Sequence, residues 1–286
     1  MGCPASVPGT VLLLYGGYFL NSLLLSLWPW RHRSLIAQLA GREVHARYRQ
    51  SWLGLVWMVL TPLMMLGVYT LVFRHVMRVR WHGVDESNLA FALRIYAGLA
   101  VFNFFAECVN RAPGLVLEQP HLVKKVVFPL EILPWVNAAS ASVGLAVSGI
   151  LLVAFAGYGG GGLPLTAVAL PLVWLPLLPL VLGLGWLLSG LGTYVRDVGQ
   201  VLGMAVSALM FLSPIFFPVE ALPEAVRGWM LLNPLAWVMT GTRDVLLVGR
   251  WPDWGALLVL FMACMLVALA GAAFFRKVRT GFADVV

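Results

Sequence analysis

Residues 132–195 read ILPWVNAASASVGLAVSGILLVAFAGYGGGGLPLTAVALPLVWLPLLPLVLGLGWLLSGLGTYV and contain no Asp, Glu, Lys or Arg. One crossing of a bilayer core of about 30 Å takes about 20 helical residues at 1.5 Å rise, so this run is too long for a single span. Gly157 and Gly159 to Gly162, followed by Pro164, divide it. The expected arrangement is two membrane helices joined by a short glycine turn. The second carries Pro171, Pro176 and Pro179, each lacking a backbone donor, and is expected to kink where neighbouring helices re-satisfy the freed carbonyls.

Three further charge-free runs have spanning length: Trp52 to Phe73, Val198 to Val219 and Trp254 to Phe275. A fourth, Leu89 to Asn110, holds Arg94 and Glu107 near its ends. The fold class expected is therefore an all-α integral membrane protein with six transmembrane helices. Composition agrees: of 286 residues 61% are hydrophobic and 11% charged, with mean hydropathy +0.90, far from the make-up of a water-soluble domain. The net charge of +7 comes from short basic patches between apolar runs, which point to anionic lipid headgroups and not to nucleic acid.

Lys and Arg set the orientation. With the segment before Trp52 inside, twelve of the 19 fall on the inner side, Arg31, Arg33, Arg42, Arg47, Arg49, Arg111, Lys124, Lys125, Arg196, Arg276, Lys277 and Arg279. Both termini of the six-span core are then cytoplasmic, in a multi-pass protein of the inner membrane. The basic stretch Arg74 to Arg80 in the first outer loop opposes this mildly. Residues 1–30 form an N-terminal extension readable as an interfacial segment, an extra span or an over-long start, and residues 31–286 form the six-span domain. Cys3, Cys108 and Cys264 outline no disulfide framework and no metal site.

Between Ser34 and Gln50, Ile36, Ala40, Val44 and Tyr48 recur every fourth residue beside Leu35 and Leu39. Gln38, Arg42, His45 and Arg49 take the other face, so an amphipathic helix on the cytoplasmic membrane surface is expected, with Arg42, Arg47, Tyr48 and Arg49 as its interface residues. Glu107 lies four residues before Arg111. An intrahelical ion pair is the favoured reading of this carboxylate, with a proton relay as the alternative. Arg196-Asp197 is expected to hold a cytoplasmic turn by an ion pair.

The stretches Arg42-Glu43, Arg47-Tyr48-Arg49-Gln50-Ser51 and Leu53-Gly54-Leu55-Val56-Trp57 through Pro62 are followed by Tyr96-Ala97-Gly98-Leu99 with Phe102, Phe104 and Phe105. Then come Leu122-Val123-Lys124-Lys125-Val126, Phe128-Pro129, Ile132-Leu133-Pro134, Tyr194-Val195-Arg196-Asp197-Val198, Ser213-Pro214-Ile215, Asn233-Pro234-Leu235, Phe275 and Gly281-Phe282-Ala283-Asp284. In this order they resemble the membrane subunits of ABC-type polysaccharide exporters, the O-antigen, capsule and teichoic-acid translocators, from about Arg31 to the C-terminus. The resemblance implies a homodimer whose facing helices form a channel, two copies of an ABC ATPase subunit on the cytoplasmic side, and a lipid-linked glycan as substrate among membrane lipids.

The chain itself lacks a G-x-x-x-x-G-K-[ST] phosphate loop, so no nucleotide site or other cofactor is expected in it. ATP and Mg belong to the partner subunit. In such exporters the segment holding Glu118, Gln119, Pro120, Leu122, Lys124 and Lys125 acts as a coupling helix seated on the ATPase. A glycan channel calls for stacking aromatics and few fixed charges, and Trp57, Tyr69, Phe102 and Phe105 are the lining candidates. Residues 219–249 are too polar to span and too apolar for an open loop. They are expected to form two short re-entrant helices at the outer face, a gate in this family, with Trp229, Asn233, Pro234 and Trp237 as its residues. The competing readings are a drug or antibiotic efflux permease of the same transporter class and a membrane-embedded enzyme. His32, His45, His75, His82 and His121 are scattered without carboxylates beside them, so no catalytic residues are expected.

Overall fold

The computed structural model describes residues 29–49, 54, 56–72, 87–123, 128–158, 162–217, 228, 230 and 232–282. These residues are helical with short turns and contain no strand. The N-terminal extension up to residue 28, Lys124, Lys125, Trp229 and the loop with Arg74 to Arg80 lie outside them.

Among the described residues eight helices of ten residues or more stand out: α1 (Arg33–Tyr48), α2 (Val56–Thr70), α3 (Asn88–Arg111), α4 (Leu133–Tyr158), α5 (Leu177–Tyr194), α6 (Val198–Leu212), α7 (Pro234–Arg243) and α8 (Trp254–Val278). With their flanking turns α3, α4, α5 and α8 are long and apolar enough to cross a membrane, whereas α2 and α6 are shorter apolar helices of 15 residues, about 22 Å at 1.5 Å rise. The near end of the bundle holds α1, the start of α4, the turn between α5 and α6, and the end of α8. The far end holds Ser87, Gly162, α7 and Asp253.

Local chemistry explains the boundaries. Ser87 caps α3 by accepting from Ala90 N, and Asp253 caps α8 by accepting from Gly255 N and Ala256 N. Helix α4 ends where expected, at Tyr158, and Gly162 takes φ +72°, a left-handed conformation open to glycine; residues 159–161 lie outside the described residues. The proline-rich span is kinked as expected, its backbone staying right-handed helical through Leu175 and Pro176 within one stretch, Leu165–Tyr194. A short helix, Leu170–Trp174, passes at Leu175–Pro176 into α5, and beside this kink Trp174 Nε1 donates to Thr242 Oγ1 of α7 at 3.0 Å.

The expected span Val198 to Val219 is corrected. Helix α6 stops at Leu212, because Ser213 precedes Pro214 and is turned to φ −92°, ψ 149°. Hydropathy alone does not register that stop, since Ile215, Phe216 and Phe217 continue the apolar run.

The core is built on α3, which buries residues on every side from Phe91 to Val109. Helices α5 and α8 pack most closely. A Cβ on Gly271 would fall 2.0 Å from Gly183 O, so only hydrogen at both positions allows the backbones to meet. Asn137 Nδ2 donates to Cys108 O at 2.8 Å and ties α4 to α3. By contrast, α2 buries no residue and α6 only Val206, which leaves apolar faces on both uncovered within one protomer.

Candidate functional site

Near-end chemistry starts with α1. Ala40 is buried and Leu35, Ile36, Leu39, Glu43 and Val44 are half-buried, while Gln38, Arg42, His45 and Arg49 are exposed, so α1 has a packed and an open face, but with Glu43 on the first and Ala37 and Ala46 on the second the expected apolar–polar division is weak. Its backbone packs along α4. Tyr48 is the last residue of α1.

The pairing expected for Glu107 is corrected. Its partner is Arg47 on α1, with Nη1 2.5 Å from Oε1 in an ion pair whose N–H is not aligned as a hydrogen bond. Arg111, which was to pair with Glu107, instead donates from Nη1 to Glu43 Oε2 at 2.7 Å. The structural reading of Glu107 thus stands, but the pairs are crossed between helices. Helix α1 approaches closely enough that a neighbouring helix's carboxylate competes with the one four residues along.

Arg111 reaches one step further. Its Nη2 stands 3.7 Å from Glu118 Oε2, and that carboxylate lies over Gly114, where a Cβ would come within 2.9 Å of Oε1. Between them the turn Ala112–Gly114 seats on α5 at Gly192, whose missing Cβ would otherwise fall 2.5 Å from Pro113 O. Gln119 then leads into the single-turn helix Pro120–Val123, which contains Leu122. The candidate coupling segment therefore projects from a rigid seat.

At the next near-end turn the expected Arg196–Asp197 ion pair is absent among the described residues. Both side chains are exposed, and the turn is held by backbone instead, with Gln200 N and Val201 N donating to Asp197 O at 3.1 and 3.2 Å. The C-terminal segment closes this end: Arg279 pairs with Glu131, Tyr194 OH donates to Val278 O at 2.9 Å, and buried Phe282 meets Phe275 edge to face at 5.4 Å.

The aromatic candidates separate by burial. Trp57 is 36% exposed on α2, and Tyr69 stacks tilted on Phe216 with centroids 5.3 Å apart. Phe102 and Phe105 are buried in the protomer core, 6.4 Å apart. Phe105 edges an apolar cavity of about 390 Å³ bounded also by Leu184, Leu209, Leu212, Met230 and Leu235.

Of the two expected far-end helices the second is α7; the first falls mostly outside the described residues. Asn233 is its N-cap, accepting from Leu235 N at 3.0 Å while Nδ2 donates to Ser213 Oγ at 3.3 Å, and Pro234 occupies the first turn. Trp237 is 41% exposed. At the other end of α7, Arg243 is buried; Nε donates to Arg94 O at 2.9 Å and Nη2 to Ile215 O at 3.0 Å. Sequence reading placed Arg243 among outer loop charges and missed this role. Gly98 was its one signal, because a Cβ there would stand 2.7 Å from Arg243 Nη2. Among the described residues no cluster of His, Cys, Asp and Glu could hold a metal ion.

Comparison with known proteins adds to this geometry. The O-antigen export system permease protein RfbA of Myxococcus xanthus is 28% identical over 258 residues, covering 89% of this chain and 96% of that protein. The protein of the same name from Klebsiella pneumoniae is 22% identical, covering 88% and 95%. The polysialic acid transport protein KpsM of Escherichia coli is 25% identical, covering 82% and 90%. A family model described as ABC-2 type transporter matches residues 34–247, from the first turn of α1 to the turn beyond α7, and the chain belongs to that family.

Proposed function

We propose that this chain is the membrane-spanning permease of an ATP-driven exporter that carries a polysaccharide or lipid-linked glycan across the inner membrane. The observation that carries the reading is similarity over nearly the full length of permeases named for O-antigen export and polysialic acid transport. A permease without its own phosphate loop needs a partner to hydrolyse ATP, and two ABC ATPase subunits with ATP and Mg fit beneath a homodimer. The uncovered apolar faces of α2 and α6 suit either lipid or the second copy, and Trp57 and Tyr69 on α2 are the aromatics offered to the glycan, since Phe102 and Phe105 are closed inside the protomer.

In this reading six spans cross the bilayer, with the near end and both core termini cytoplasmic. Helix α1, with Arg42, Arg47, Tyr48 and Arg49, lies at the membrane surface. The segment Glu118, Gln119, Pro120, Leu122, Lys124 and Lys125 docks on the ATPase. At the outer face Trp229, Asn233, Pro234 and Trp237 belong to a gate over the channel exit.

Depleting the protein in its native host tests the function. Lipid-linked glycan should accumulate inside the cell while the surface polymer is lost; an unchanged surface polymer would turn the reading towards small-molecule efflux. The docking segment has its own test. Reversing Lys124 and Lys125 to glutamate should abolish co-purification with the ATPase while leaving membrane insertion intact, and undiminished co-purification would remove the segment from that role.

A further inference from the structure

Four charges join α1 to α3, and they share one spacing. Glu43 and Arg47 are four residues apart on α1, as are Glu107 and Arg111 on α3. The observed pairs are crossed, Arg111 with Glu43 and Arg47 with Glu107. Yet on each helix the acid precedes the base by four, the order in which intrahelical pairs form best. The same quartet therefore has a second neutral pairing, Glu43 with Arg47 and Glu107 with Arg111, which needs no contact between the helices.

We propose that this quartet is a two-state latch: crossed pairs hold α1 against α3, and intrahelical pairs release it. Parting an ion pair that is largely shielded from water ordinarily strands a charge, and here Glu43 is only 13% exposed and Arg111 28%. In the latch each charge takes up a partner on its own helix. The free energy of opening is then the difference between two pairings, not the loss of both. The backbone of α1 packs along α4, and α3 is reached chiefly by these long side chains, so opening leaves the α1–α4 contact in place as a hinge. Arg111 also stands 3.7 Å from Glu118, at the root of the segment assigned to ATPase docking. On that assignment, a push on Gln119–Val123 shifts Arg111 and biases the latch.

A charge swap isolates the second state. Exchanging the signs of Arg47 and Glu107 (Arg47→Glu with Glu107→Arg) preserves both crossed pairs. It also places like charges four residues apart on each helix, which disfavours the released state. A purely structural role predicts that the swap behaves as wild type.

The full-length permease, purified in lipid nanodiscs with spin labels at Ala46 and Thr280, both exposed and near-end, reads the distance from α1 to the bundle. The wild type should show two distance populations within about tenfold of each other, as pairings of similar strength require. The swap should collapse them to one. Identical distributions in a folded swap and the wild type would overturn the latch. Should that swap not fold, Glu43→Arg with Arg111→Glu applies the same logic to the other pair. Adding the ATPase and trapping nucleotide should then shift the wild-type populations and not those of the swap. A collapse without any nucleotide response would keep the latch and remove its link to ATP.

Discussion

Gly271→Leu is expected to leave almost no folded, monodisperse protein. Helices α5 and α8 touch backbone to backbone: a Cβ at Gly271 would lie 2.0 Å from Gly183 O, and one at Gly183 2.6 Å from Val267 C. The obstacle in each direction is main chain, which has no rotamer to yield. In lipid, helices associate through packing and not through exclusion of water, so parting this pair removes what joins α8 to the bundle. Overpacking a core typically costs about 1–3 kcal/mol, and a Leu side chain in this gap falls at or beyond the upper end. Gly271→Ala should lower the melting temperature clearly in detergent-based thermal melts. Gly199→Ala is the control, since its Cβ meets nothing within 4 Å, and gained helix propensity should stabilise α6 by about 0.5–1 kcal/mol. A Gly271→Leu protein that melts like wild type would refute the packing.

Arg243→Met should produce the second large loss, and it should loosen one place in particular. The guanidinium joins α7 to α3 through Arg94 O and to the Ser213-Pro214-Ile215 stop through Ile215 O, a carbonyl of a fully buried residue. Methionine fills much of the volume but donates nothing. Leaving buried Ile215 O unpaired costs about 1–3 kcal/mol, whereas Arg94 O, inside α3, keeps its helical partner and loses only the added bond. With Ser213→Cys as reporter, thiol labelling should rise in Arg243→Met and recover partly in Arg243→Lys, which restores one donor group without the guanidinium fork. Gly98→Ala should resemble a weaker Arg243→Met, because its Cβ displaces Nη2. Unchanged labelling and melting in Arg243→Met would show that Asn233 and Ser213 alone secure the α6 stop.

Both predictions concern contacts that no single segment discloses. Gly183 and Gly271 each look like an unremarked small residue in an apolar run, and their complementarity exists only once α5 and α8 lie together. Arg243 reads as a loop charge until Gly98 and the end of α6 are brought around it. The crossed ion pairs make the same point with opposite signs: spacing marks Glu107 and Arg111 as partners, yet the approach of α1 hands each a different one.

Periodicity, charge-free length and turn residues act within one segment, so the chain by itself determined the apolar helices, the end of α4 ahead of its glycines and the proline kink before α5. Its ordered motifs also carried the family resemblance. Ser213-Pro214 stops α6 locally, whereas tertiary structure decided the clip of that stop to α7, the burial of Phe102 and Phe105, and the seat of the coupling segment on Gly192. It decided as well the choice between two pairings of four charges. Helical periodicity is set by covalent geometry and solvent, whereas a close approach or a partner for a charge depends on which surfaces meet, and that is a property of the packed bundle.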